Sequence, residues 1–103
     1  GDPLAPWPGR LPQPAPATMA AAAVAVLDPD GDPVRVSARG AFSAEPALIV
    51  GPRKWSVQWW AGPWPTGIDG VGVSARAQVL LDDARALLLH YRSGGWTVEG
   101  VYE

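Results

Sequence analysis

Cysteine is absent from this chain of 103 residues, so it cannot build a disulfide scaffold, a thiolate metal site or a cysteine nucleophile. Histidine occurs once, as His90, which removes a histidine-based zinc set. Positive charge is also scarce: eight Lys and Arg against ten Asp and Glu leave a net charge of −2. The arginines are scattered and Lys54 is the single lysine, so no basic stripe exists to grip a phosphate backbone, and direct nucleic-acid binding is expected to be weak or absent. Long apolar runs are missing too. The best candidate, Met19 to Leu27, is alanine-rich, too short to span a bilayer and without a basic flank, so no membrane association is expected. Lack of cysteine suits a reducing, cytoplasmic setting. The chain opens on Gly1 instead of Met, which reads as a cut from something longer with Gly1 left by a tag.

What the chain has in quantity is proline, glycine and tryptophan: twelve, twelve and six. Prolines at positions 3, 6, 8, 12, 14 and 16 block helix and remove strand donors, so residues 1–18 are expected to form an extended arm, with Trp7 and Leu11 as possible anchors on the domain that follows. Residues 19–103 are of a length that makes one small domain. Four of the six tryptophans stand between Trp55 and Pro65. Gly62 and Trp64 each precede a proline, which excludes the α region and holds this segment extended.

Short alternating runs separated by turn residues predict an antiparallel all-β domain: a small sheet or partly open barrel of about six or seven strands. Ala22 to Asp28 and Pro33 to Ala38 flank Pro29-Asp30-Gly31-Asp32 and read as a first hairpin, since Asp-Gly supplies positive φ angles. Ala47 to Val50 and Lys54 to Ala61 read as strands. Alternation along the second puts Trp55, Val57 and Trp59 on a core face, and Ser56, Gln58 and Trp60 on the other. Residues 74–92 fit two patterns. One is an amphipathic helix capped by Ser74 and stopped by Gly94; the other is two strands around Asp82-Asp83-Ala84, and local propensity favours the helix. Trp96 to Tyr102 reads as a last strand entered through a Gly94-Gly95 turn, with Trp96 in the core.

Motifs that would carry catalysis fail on spacing. Asp28, Asp30 and Asp32 alternate like calcium ligands, but Gly31 is misplaced and Arg39 stands where a bidentate Glu belongs, so a hairpin turn is the better reading. Gly70-Val71-Gly72-Val73-Ser74-Ala75 loosely fits a dinucleotide fingerprint but lacks the strand before it and the helix after it, so it reads as a glycine loop. Asp82 and Asp83 are adjacent and diverge in a turn. No Gly-x-Ser-x-Gly elbow surrounds Ser37, Ser43, Ser56, Ser74 or Ser93 to join His90. An enzyme is therefore not expected, and no cofactor or metal is implied. The functional candidates are aromatic: Trp60, Pro63, Trp64 and Pro65, joined by Tyr102, as an apolar patch that docks a protein partner. The alternative is that these rings stack single-stranded bases, with Arg53, Lys54 and Arg76 as the nearest cations.

Several segments together resemble the C-terminal domain of ImuB, the catalytically inactive relative of Y-family translesion DNA polymerases, in its high-G+C bacterial form. They are Pro6-Trp7-Pro8-Gly9-Arg10-Leu11-Pro12 with Pro14-Ala15-Pro16-Ala17-Thr18, Val34-Arg35-Val36-Ser37 with Arg39-Gly40, Trp60-Ala61-Gly62-Pro63-Trp64-Pro65, and Gly95-Trp96-Thr97-Val98-Glu99-Gly100-Val101-Tyr102. The resemblance implies two strands around a turn for residues 75–92, deciding against the helix. It further implies a non-catalytic adaptor in mutagenic DNA repair, whose partners are a RecA-like ImuA-type protein and an error-prone C-family polymerase. No clamp-binding motif of the Gln-Leu-Pro-Leu-Trp kind is visible in these residues.

Overall fold

Strict alternation dominates the middle of the chain, where Ala75, Ala77, Val79 and Leu81 are all buried while Arg76 is exposed. That period of two makes a strand with one face inward. A computed structural model describes residues 22–69 and 72–102; the expected arm over residues 1–18 lies outside them. The described residues form six strands and no helix: β1 (Ala23–Leu27), β2 (Leu48–Val50), β3 (Lys54–Asp69), β4 (Gly72–Leu81), β5 (Ala86–Arg92) and β6 (Gly95–Tyr102). Each pairs antiparallel with the next, and β1 pairs with β6, so the sheet closes into a six-stranded barrel. The closing ladders are short: β2 meets β3 over Lys54–Ser56, and β1 meets β6 at Trp96 and Thr97.

Residues 74–92 form two strands, β4 and β5, around a turn, as expected from the resemblance and against local helix propensity. Long-range pairing overrides that propensity: β4 gains ladders on both sides, to β3 and β5. The turn is closed by Leu81 N–H to Arg85 O at 2.8 Å, and Ala84 takes a φ of 70°, a conformation that glycine adopts more readily. The β5–β6 turn places Ser93 and Gly94 at φ 54° and 79°, so its centre is one residue earlier than the Gly94-Gly95 pair. The glycine stretch 70–75 is not a loop over its described part, since Gly72 and Val73 pair with Asp69 and Ile68 in the β3–β4 hairpin.

The first hairpin is corrected in part. Its turn forms as expected: Asp28 Oδ1 accepts the N–H groups of Asp30 and Asp32, both at 2.9 Å, and Gly31 has φ 87°. Its second arm is not a strand. Pro33 has no N–H to extend the ladder, and only single bridges occur, Leu27 with Pro33 and Val36 with Phe42. The partner of β1 is instead β2, with Val26 opposite Ile49. Residues 33–46 turn across the barrel, burying Val34 and Val36 among the core residues, and the indole N–H of Trp96 donates to Val34 O at 3.0 Å.

The interior is built from Val24, Val26, Ile49, Trp55, Val79, Leu81, Leu87, Leu89, Tyr91, Trp96, Val98 and Val101, with the small Ala75 and Ala77 giving room to the rings. Tyr91 and Trp96 pack as tilted rings, 4.8 Å between centroids and 56° between planes. Each large side chain of this kind contributes about 1.5–3 kcal/mol on burial.

Candidate functional site

The two faces of β3 exchange at one residue. Val57 lies opposite Leu81 and Trp59 opposite Leu80, so Gln58 is an extra residue with no counterpart on β4. A bulge of this kind shifts the alternation by one. Before it, Trp55 and Val57 face the core. After it, Trp60 packs against the core, edge-on to Phe42 at 5.2 Å, and Trp59 shares the outward side of Leu80. The expectation of Trp59 in the core and Trp60 on the opposite face is therefore reversed.

The registers of β3 to β6 resolve the outer surface into three rows of directly opposed residues. Trp59, Leu80, Ala86 and Tyr102 form the first, and Ala61, Gln78, Leu88 and Gly100 the second. Trp64, Arg76, His90 and Thr97 form the third. Opposed residues on one face lie close enough for their side chains to touch. The first two rows are apolar except for Gln78. The third is polar after Trp64, and Glu99, the extra residue of a bulge on β6, reaches Arg76 with its carboxylate 2.7 Å from Nε. The hydrogen bond that the guanidinium donates to this carboxylate holds the Arg76 pKa above its ordinary value. Burial pushes the Tyr102 phenol up, as expected of a ring lying against an apolar layer.

Gln78 is the anomaly of this surface. It points away from the barrel interior, between Ala77 and Val79 that point in, yet it is only 4% exposed. Its Oε1 is buried and makes no hydrogen bond. An acceptor left in that condition costs about 1–3 kcal/mol relative to a satisfied one.

The five residues expected to form one patch divide. Trp64 and Tyr102 are on this outer face. Trp60 lines a depression with Phe42, Gly40 and Pro63 on the side of residues 33–46. Pro65 lies opposite the inward Ala75 and beside Gly40, whose missing Cβ would meet its ring at 3.0 Å. Gly62 is what lets Trp64 settle: with φ 102°, a Cβ there would approach the Trp64 ring and Arg76 O at 3.1 Å. Trp59, Leu80, Leu88 and Gln78 are the members that sequence reasoning missed. The apolar run Leu87-Leu88-Leu89 carried a signal, because a strand apolar on both faces has something to cover outside. Nothing local marks the Gln58 bulge.

The cations proposed for base stacking do not converge here. Arg76 is engaged by Glu99, while Arg53 and Lys54 stand at the start of β3, beyond Trp55. Arg85 lies over the Trp55 ring at 5.4 Å and pairs with Asp83. Among the described residues no group of three or more His, Asp or Glu is placed to hold a metal ion, and no helix is long and apolar enough to cross a membrane. Comparison of the chain with family models, curated proteins and solved structures returned no match.

Proposed function

We propose that this barrel is a non-catalytic protein-interaction module whose docking surface is the outer face of β3–β6. The observation that carries the reading is the pair of apolar rows, Trp59 to Tyr102 and Ala61 to Gly100, bordered by Trp64 and the Arg76–Glu99 pair. An apolar centre with aromatic anchors and a polar rim is the composition of a protein interface. The resemblance to the ImuB C-terminal domain supplies the partner class: a RecA-like ImuA-type protein, or an error-prone C-family polymerase, in cytoplasmic translesion synthesis. Single-strand binding is the weaker reading, because its cations are paired or distant from the rings.

The test is calorimetric titration of the chain with the RecA-like partner and, separately, with a single-stranded oligonucleotide at two salt concentrations. Saturable binding to the protein, abolished by Leu88→Asp in a variant that still unfolds cooperatively, is the expected result. Unchanged binding by that variant would move the site elsewhere. Oligonucleotide binding that falls steeply with salt would make this a nucleic-acid module.

A further inference from the structure

One end of the barrel, where the start of β4 and the β5–β6 turn meet residues 35 and 36, holds a cavity of about 470 Å³. Arg35, Val36, Val73, Tyr91, Ser93 and Gly94 line it. We propose that it is a binding site for a small molecule that joins a carboxylate or phosphate group to a compact apolar body. None of its residues belongs to the three rows of the outer face, so the site stands apart from the docking reading.

Arg35 is the single charge on the cavity wall among the described residues, and its side chain makes no ion pair or hydrogen bond with another of them. Its backbone is held at both polar groups by one residue. The Arg35 N–H donates to Ser43 Oγ at 2.8 Å, and the Ser43 N–H donates to Arg35 O at 2.7 Å. A guanidinium is always charged and presents its donors as a planar fork, which matches the paired oxygens of a carboxylate or phosphate.

Tyr91 points to a ligand independently. It is only 6% exposed, yet its hydroxyl makes no hydrogen bond with another described residue, where a buried tyrosine ordinarily finds a partner. Gln78 Oε1 is the one wholly buried, unbonded side-chain atom among the described residues, so the Tyr91 hydroxyl is still accessible, and the cavity is what it meets. Trp96 ties the two groups together. Its ring lies 4.8 Å from that of Tyr91, and its indole N–H donates at 3.0 Å to the carbonyl of Val34, the residue before Arg35. Ser93 adds a second hydroxyl from a left-handed backbone, φ 54°, which a residue other than glycine adopts at a cost.

Size and lining define the rest of the ligand. The cavity is many times the roughly 30 Å³ that a water molecule takes in the liquid and falls within the range of about 300–1,000 Å³ typical of small-molecule sites. Val36 and Val73 supply apolar wall beside the polar groups, so a bare anion would leave them uncovered.

The test is a nuclear magnetic resonance titration of the full chain, labelled with nitrogen-15, using phenyl phosphate, benzoate, inorganic phosphate and the neutral benzamide. Saturable shifts of the Val36, Ser93 and Gly94 amides are expected with phenyl phosphate or benzoate, with the Trp59 and Trp64 indoles unmoved. The tighter of the two identifies the charged group as phosphate or carboxylate. Inorganic phosphate should bind more weakly than phenyl phosphate, and benzamide should not saturate. Arg35→Met should weaken binding by about tenfold or more, and Tyr91→Phe, which keeps the ring against Trp96, by about three- to tenfold. The inference is overturned if neither aromatic anion saturates, if benzamide matches benzoate, if inorganic phosphate matches phenyl phosphate, or if either variant binds as the parent chain does.

Discussion

At the scale of single residues, the strain and satisfaction of a few positions make checkable claims. Ala84 holds φ 70° in the β4–β5 turn with no glycine to relieve it. Ala84→Gly should therefore stabilise the barrel by about 0.5–1 kcal/mol, the left-handed penalty being partly offset by a more flexible unfolded chain, and urea unfolding measures it. In the same turn Asp83 is held below the ordinary aspartate value of 3.8. Partial burial pushes its carboxyl up, but hydrogen bonds from the side chain and backbone of Arg85, with its charge and a bond from Trp55, outweigh that. A lowered folded value stabilises at pH above the unfolded one and is lost as pH falls through the folded one. Stability should decline slightly below about pH 4 through this group, by well under about 1 kcal/mol because the pair is solvent-screened. Asp83→Asn should remove that part of the acid dependence. Tryptophan content pointed to a site, but which rings served it was hidden: Trp59 and Trp60 are neighbours of identical chemistry, and only the bulge distinguishes them.

At the scale of elements, Gln58 decides what each side of β3 does. Removing it would take out the one extra residue and leave Val57, Trp59 and Trp60 alternating inward, outward and inward, the faces they already have. The Phe42–Trp60 contact and the Trp59 row would both be kept. Deletion of Gln58 should cost no more than about 1–3 kcal/mol, the scale of local backbone shifts with no aromatic leaving the core, and Gln58→Ala, which keeps the bulge, should leave unfolding nearly unchanged. Differential scanning calorimetry of the two variants makes the comparison. The same scale explains what was legible. The turns at residues 28–32 and 82–85 were readable because Asp and Gly, or paired Asp residues, have local hydrogen-bonding reasons to be there. The pairing of β1 with β2 instead of the segment after its turn was not, because Pro33 and the burial of Val34 and Val36 act through the barrel interior. Likewise residues 74–92 satisfied helical and strand periods equally, and the ladders to β3 and β6 decided between them.

At the scale of the whole molecule, the six strands close into a barrel through two short ladders, β1 with β6 and β2 with β3. The antiparallel all-β class was visible from alternation and turn spacing. The closed barrel was not, since it depends on the short contact between β1 and β6, Ala23 with Thr97 and Val24 with Trp96. The interior is filled by residues such as Leu87, Leu89 and Trp96, and further apolar residues lie outside, on β3–β6. The most direct measurement is a nuclear magnetic resonance titration of the labelled chain with the proposed partner, a RecA-like ImuA-type protein. The account predicts that the Trp59 and Trp64 indoles and the Gln78 side-chain amide change on binding, while the Trp55 and Trp96 indoles do not. Changes confined to Trp60 and the residues around Phe42 and Pro63 would contradict it.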